Sequence, residues 1–250
     1  MAATAVKGKD HFKGEVELAV KALYKYCNQQ TDTQSDSKKK DLFVENPFEY
    51  VWLVVATKKR INPQTLPTKI PIPHSFRTSD CMNNDVCLIT QSPSSQITKL
   101  LEEKGVKGIT KVVDVAQLRS TYKQFEAKRL LCASYDLFLA DSQCISTLPV
   151  LLGKKFALKK KLPLPVDLAA DNLADEIEQA MNCTSLVIPP ASNISIRAST
   201  TLLQPGESVS NVLAIIDSVI RLIPGGLENI QSVNLKVSTS PAFPIYCCLE

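Results

Sequence analysis

The chain has 250 residues, of which 44% are hydrophobic and 22% charged, and it carries a formal net charge of +4. This length and composition can bury a sizeable core in one or two domains. The apolar runs are too short for a membrane-spanning helix, and the N-terminus lacks the apolar core of a secretory signal. We therefore expect a soluble intracellular protein without a membrane partner.

The eight cysteines show neither a disulfide pattern nor a zinc pattern. The sequence contains no Cys-x-x-Cys motif and no Cys/His pairing at zinc spacing. Cys132 and Cys144 lie in apolar surroundings, where a thiol behaves as a small hydrophobic group. We expect reduced, structural cysteines and neither a metal nor another cofactor.

The first part of the chain combines a helix with two strands. Segment 13–29 places its apolar residues on one helical stripe, and segment 48–59, rich in β-branched and aromatic residues, predicts a buried strand. Segment 66–74 predicts a second strand. Its three prolines favour the edge of a sheet, because proline cannot donate to a ladder.

Three short apolar strands then alternate with three helices. Serines before the first helix are placed to cap it, and Gly105 is placed to end it. Strands that are apolar on both faces and alternate with helices indicate a parallel sheet covered on both sides. The predicted strands are 85–91, 109–115 and 135–140, and the predicted helices are 92–105, 116–133 and 142–153.

The final third returns to α+β character, with helices at 172–182 and 207–224 and strands within 184–200 and at 232–240. The fold prediction is therefore a split α+β domain with an inserted three-layer, Rossmann-like α/β domain. The split domain is expected to comprise residues 12–78 and 161–250, and the insert residues 79–160.

Segment 151–167 is the most one-sidedly positive part of the chain. It carries five lysines, and no Asp or Glu occurs between Asp141 and Asp167. Ammonium groups on flexible stems can contact phosphates without one fixed geometry, which favours a polyanionic partner. A solvated loop is the alternative, because most charge runs are solvated faces. The five residues are Lys154, Lys155, Lys159, Lys160 and Lys161.

Few residues suit catalysis. His74 has no triad partner nearby in sequence and is expected to order a hinge through hydrogen bonds, while Asp136 and Asp141 flank a strand as turn or cap residues. The glycines form neither a phosphate loop nor a dinucleotide fingerprint. We expect no enzymatic activity and no small-molecule substrate.

Several segments resemble the ribosomal protein L-one family, most closely its eukaryotic nucleolar branch. The specific match is YDLFLADSQCISTLPVLLGKKFALKKKLPLPVDL (135–168), supported by IPIPHSFR (70–77), TYKQFEAKRLL (121–131) and STSPAFPIY (238–246). The resemblance extends over roughly residues 13–246 and implies the two-domain fold of that family.

The resemblance also implies a ribosome biogenesis factor that binds ribosomal RNA, with the split domain as the main contact. Family members touch RNA through a Phe near the first strand, which Phe48 matches, and through a Thr-Met-Gly near the last strand. Ser238, Thr239 and Ser240 stand there instead, without Met-Gly. Further expected phosphate contacts are Lys58, Lys59 and Arg60, together with the five lysines of segment 151–167.

This function implies a nuclear, nucleolar protein in pre-ribosomal particles, with the small-subunit processome as the expected particle. Its partners would be the ribosomal RNA precursor and other ribosome assembly factors. A protein-interaction module, in which the lysines meet acidic proteins or no partner, remains the alternative.

Overall fold

A computed structural model describes residues 3–36, 49–76, 85–106, 108–168, 172–238 and 240–248. The chain forms two compact units. The first contains the described residues within 1–63, 70–76 and 188–250, and the second those within 64–69 and 77–187.

The first unit is built on a four-stranded antiparallel sheet with the order β10-β9-β1-β8. Its central strand β1 alternates buried and half-buried residues, so that one face of the sheet is in the core and the other is partly exposed. The strands are β1 (Tyr50–Thr57), β8 (Asn193–Thr200), β9 (Ile230–Lys236) and β10 (Phe243–Cys247).

Two long helices, α1 (Ala3–Asp36) and α8 (Pro205–Leu222), accompany this sheet and contact each other. Val16 and Leu23 of α1 and Val212 and Ile215 of α8 are buried because their spacing puts them on one helical stripe. The hydroxyl oxygen of Tyr24 on α1 lies 3.0 Å from the Thr200 carbonyl oxygen and 2.9 Å from that of Leu203, and it can donate a hydrogen bond to either.

A side-chain clamp holds the segment before residue 77. The buried Asn211 of α8 accepts a hydrogen bond from the backbone N–H of His74 at 2.9 Å and donates to its carbonyl oxygen at 2.7 Å. These hydrogen bonds hold the backbone of His74 and do not involve its imidazole, so the predicted role of His74 in ordering a hinge stays a prediction.

The second unit contains a four-stranded parallel sheet with the order β4-β3-β5-β6. All residues of β3 and β5 are buried, as expected for strands covered on both faces. The strands are β3 (Val86–Thr90), β4 (Ile109–Asp114), β5 (Leu137–Asp141) and β6 (Leu164–Val166). A separate two-stranded sheet joins β2 (Gln64–Pro71) to β7 (Cys183–Ile188).

Alternate residues of the parallel strands enter two separate cores. Leu88 and Leu139 pack with α2 (Ser94–Glu103) and α7 (Leu173–Met181), whereas Ile89 and Phe138 pack on the opposite helices. Those opposite helices are α3 (Val115–Ser120), α4 (Phe125–Ser134), α5 (Leu148–Leu152) and α6 (Lys154–Leu158). The predicted three-layer α/β arrangement is confirmed.

Several predicted elements differ in detail. The helix predicted over 116–133 is two helices, α3 and α4, because on one continuous helix Leu118 and Leu131 would point about 140° apart at ~100° per residue. The break lets both side chains enter the same core. The helix predicted over 142–153 is shorter and occupies only Leu148–Leu152.

The predicted serine cap of α2 is wrong, because Pro93 occupies the N-cap position and no side chain caps the helix. Gly105 ends α2 in the left-handed conformation (φ +63°), as predicted, with the Val106 N–H donating to the Leu101 carbonyl.

Strand β6 pairs with β5, so the second unit extends past residue 160, where the sequence placed a domain boundary. The compact units need not coincide with domains that fold independently, so the predicted domain boundaries at residues 78 and 160 stay a prediction. Across the described residues, no helix combines the length and apolar character needed to cross a membrane.

Candidate nucleic-acid interface

The lysine segment of the second unit is a helix and a turn rather than an open loop. Gly153, with φ +82°, separates α5 from α6. Phe156 of α6 is fully buried and meets the Phe138 ring edge-to-face with centroids 5.0 Å apart. This anchor leaves four of the five predicted lysines exposed on the surface, namely Lys154, Lys155, Lys159 and Lys160.

Lys160 has a strained backbone, with φ +52°, at the end of α6. Its N–H donates to the Ala157 carbonyl, and the N–H of Lys161 donates to the Phe156 carbonyl, which together form a Schellman ending. Glycine usually occupies this position, and a side chain there costs about 1 kcal/mol.

Lys161 is held within the second unit. Its ammonium group donates to the Tyr135 carbonyl oxygen at 2.8 Å and forms a 3.0 Å ion pair with Asp136. These contacts tie the end of α6 to the start of β5. Lys161 is thus engaged in the structure, unlike a solvated lysine available to a phosphate.

The cations at the end of β1 are exposed and lie on a fixed turn. The backbone N–H groups of Lys58 and Lys59 donate to the carbonyl and side-chain oxygens of Asn229 at 2.8 and 2.9 Å. The Lys58 ammonium group also contacts Cys248 Sγ at 3.3 Å. Arg60 follows on the same surface with an exposed side chain.

The residues predicted near the last strand serve different purposes. Ser240 is buried, and its hydroxyl accepts a hydrogen bond from the Val237 N–H at 2.9 Å and donates to the Pro241 carbonyl, which closes the turn before β10. Ser238 is exposed. Phe48 and Thr239 lie outside the described residues.

The half-exposed face of the first unit's sheet carries a row of functional candidates that the sequence interpretation missed. Trp52 of β1 lies between Arg197 of β8 and Lys236 of β9 in register. The Arg197 guanidinium lies 4.8 Å from the Tyr50 ring centroid and 5.3 Å from that of Trp52. The row therefore combines aromatic faces with two cations.

The neighbouring positions on this face are small or polar. Val54 is flanked by Ser195 and Asn234, which are all half-buried. These positions share a face with Trp52, because alternate residues of a strand point to the same side. The alternation in β1 could have marked Trp52 as outward-facing, but only the pairing of distant strands shows that Arg197 and Lys236 flank it.

The acidic residues and cysteines do not form a metal site in the described part of the chain, where no three His, Cys, Asp or Glu residues come close enough to hold an ion. Asp141 is buried and accepts a hydrogen bond from the Gln143 N–H. Burial raises the pKa of the Cys87 thiol to about 12, and the cysteines in the described residues form no disulfide with one another.

The fold and these surfaces define a two-unit α/β protein with exposed cationic faces. A model of the ribosomal protein L1p/L10e family matches residues 23–241. The chain belongs to this family, and the mixed parallel and antiparallel sheets are those of the L1-like fold that the resemblance implied.

Three curated relatives match most of this chain but differ in how much of their own length is covered. A Schizosaccharomyces pombe protein whose name provisionally assigns it to ribosome biogenesis is 32% identical over 245 residues, which cover 92% of this chain and 64% of the relative. The mouse ribosomal L1 domain-containing protein 1 is 32% identical over 206 residues, covering 79% of this chain and 45% of the relative.

A second S. pombe protein with a similar name is 26% identical over 204 residues, covering 79% of this chain and 70% of the relative. The chain thus spans less than two thirds of the length of the first two relatives.

Proposed function

We propose that this chain is a non-enzymatic ribosome biogenesis factor that binds the ribosomal RNA precursor on the half-exposed sheet face of its first unit. The observation that carries the proposal is the row of Arg197, Trp52 and Lys236 across three adjacent strands. The names of the relatives support the assignment to ribosome biogenesis.

The chemistry of this face suits unpaired nucleotides of a folded RNA. Bases stack on aromatic side chains and on guanidinium planes, and each stacked base contributes about 1–3 kcal/mol. The Arg197 guanidinium lies over both rings, and the rings meet at an angle of 63°, so Trp52 and Tyr50 offer two separate aromatic groups beside one cation. Lys236 is exposed beside Trp52, where it can meet the backbone phosphate of a stacked nucleotide.

Lys58, Lys59 and Arg60 add phosphate contacts in this proposal, because they are exposed and their turn is fixed by Asn229. Phe48, Ser238 and Thr239 keep their predicted role as RNA neighbours, whereas Ser240, which is buried and bonded within its turn, would act by holding that turn. The sequence prediction that the five lysines at 154–161 contact RNA is not carried into this proposal, because Lys161 is paired with Asp136 and the other four lie on a surface of the second unit that also exposes apolar side chains.

The proposed setting is the nucleolus, within pre-ribosomal particles and specifically the small-subunit processome, where other assembly factors would be partners. A protein-interaction module is the second candidate function. It is favoured by exposed apolar side chains among the lysines of the second unit, such as Val150 and Leu158.

The test replaces Trp52 and measures binding to a transcript of the ribosomal RNA precursor. Trp52→Leu keeps an apolar side chain but removes the stacking face, and we expect the affinity to fall about 10-fold or more. Trp52→Phe should retain most of the affinity. Phe125→Leu, which changes a highly exposed aromatic residue of the second unit, is the matched control and should bind as the wild type does. Unchanged affinity in Trp52→Leu would refute the proposed site.

A further inference from the structure

Helices α4, α5 and α6 expose four large apolar side chains to solvent. Phe125 is 82% exposed, Leu130 65%, Val150 84% and Leu158 74%. A large apolar side chain that is almost fully solvated contributes nothing to the core. A group of them indicates an interaction surface rather than a folding element.

The helices that carry these side chains share one core. Leu131 of α4, Leu152 of α5 and Phe156 of α6 are buried in the same cluster beneath the sheet. Helix α6 contacts both α4 and α5. The three helices therefore form one layer on one side of the parallel sheet, and we call the outer surface of this layer the α4–α6 face.

Positive charge surrounds the apolar residues of this face. Within the described helices α3–α6, Glu126 is the one acidic residue. Lys128 lies with its ammonium group 6.0 Å from the Phe125 ring centroid, so cation and apolar surface are interleaved. The other cations within these helices are Arg119, Arg129, Lys154 and Lys155; Lys123 and Lys159 lie next to them, as do the acidic Asp114 and Asp136, of which Asp136 is paired with Lys161.

The opposite helix layer of the same unit has the reverse charge. Helices α2 and α7 carry Glu102 and Glu103, and Asp175, Glu176 and Glu178, against a single Lys99. The positive charge is therefore specific to the α4–α6 side and does not follow from the general basicity of the chain.

We propose that the α4–α6 face docks an acidic segment of another protein that carries apolar anchors between its carboxylates. Carboxylates would meet the surrounding lysines and arginines, while apolar anchors cover Leu130, Val150 and Leu158. Each large apolar side chain removed from water adds about tenfold or more to the affinity.

RNA fits this surface less well. A phosphate backbone would use the lysines, and the Phe125 ring could stack on one base, but Leu130, Val150 and Leu158 would stay in water because aliphatic side chains offer no plane on which bases can stack. The inference assigns Lys154, Lys155 and Lys159 to an acidic protein and is independent of the RNA site proposed on the first unit.

The test places a photoreactive residue, p-benzoylphenylalanine, at Val150 in the full chain, produced in the cells that express it naturally. After irradiation, the native assemblies are purified and the crosslinked peptide is sequenced. We expect one protein segment with an excess of Asp and Glu and with apolar residues at the crosslink. The same reagent at Leu100, which lies on the acidic layer, is the positional control and should not capture that segment.

Two further variants test the chemistry of the contact. Combining the Val150 reagent with Lys154→Glu and Lys155→Glu, or with Leu158→Ser, should lower the yield of this crosslink at least about fivefold. Lys99→Glu, a matched charge reversal on the opposite layer, should leave it unchanged. All replaced side chains are exposed, and circular dichroism checks that the fold is retained.

A crosslink to RNA, a crosslink to a segment without acidic excess, or the absence of any protein crosslink at Val150 would each overturn the inference. So would a yield that is insensitive to the charge reversals. None of these results would affect the RNA site, which is tested separately through Trp52.

Discussion

The two cationic surfaces of this molecule differ in what lies between their positive charges. On the first unit's sheet, Arg197 and Lys236 flank the rings of Tyr50 and Trp52 and small polar neighbours. On the α4–α6 face, the same helices carry lysines and expose the aliphatic Leu130, Val150 and Leu158 together with one ring, Phe125. Positive charge alone does not identify a partner. The side chains between the charges do, because flat rings accept bases whereas aliphatic side chains need a protein to cover them.

The largest expected effect is on the free energy of unfolding, and it distinguishes a buried residue of α6 from an exposed one. Phe156→Ala removes a fully buried ring that packs on Phe138, and we expect the free energy of unfolding to fall by about 3–5 kcal/mol. Leu158→Ser, two residues away and exposed, should change it by less than about 0.5 kcal/mol. Urea denaturation followed by circular dichroism measures both. A large loss in Leu158→Ser would mean that the exposed residue supports folding rather than docking.

The next effect concerns the cations at the end of β1. Lys58→Glu combined with Lys59→Glu should weaken binding to the precursor transcript about tenfold and reduce the slope of log affinity against log salt by about two. The reason is that each lost phosphate contact no longer releases a counterion. Lys154→Glu with Lys155→Glu is the matched reversal and should leave the slope unchanged. An equal loss in both variants would show that the two surfaces bind RNA alike.

A smaller effect is expected from changing the shape of a cation without its charge. Arg197→Lys keeps the positive charge but loses the guanidinium plane that lies over Tyr50 and Trp52. We expect about a threefold loss in RNA affinity with an unchanged salt slope, measured by fluorescence anisotropy. A changed slope with an unchanged affinity at low salt would mean that Arg197 acts only as a point charge.

The smallest effect is a gain in stability. Lys160 adopts φ +52° at the end of α6, whereas α2 has Gly105 at the corresponding position. Lys160→Gly should therefore raise the free energy of unfolding by about 0.5–1 kcal/mol. Lys159→Gly, whose backbone is right-handed, is the control and should lower it. A destabilised Lys160→Gly would indicate that the Lys160 side chain makes contacts worth more than the strain.

Much of the fold could be predicted because its signals are local. The fully apolar strands β3 and β5 predicted a parallel sheet, and Gly105 predicted the end of α2. Strand β10 was missed because Pro241 and Pro244 interrupt its pattern, although proline is compatible with the edge position that β10 occupies. The division of segment 116–133 into α3 and α4 depends on the direction of the core, which a single helical period does not show.

The candidate site was harder to predict because it is assembled from distant strands. Trp52, Arg197 and Lys236 belong to three strands that meet only through the sheet order. The lysines at 154–161 were conspicuous in sequence, yet Lys161 is paired with Asp136 and the other four lie on or next to α6, which also exposes Leu158. A charge run shows where positive residues are concentrated, and its partner depends on neighbours that only the fold reveals.

The most direct test of the account is ultraviolet crosslinking of RNA to this chain in purified pre-ribosomal particles, with the crosslinked peptides mapped by mass spectrometry. The account predicts ribosomal RNA precursor attached to peptides from β1, β8 or β9, with Trp52 or Tyr50 among the modified residues. Crosslinks confined to residues 148–160, or particles in which no peptide of the first unit carries RNA, would contradict it.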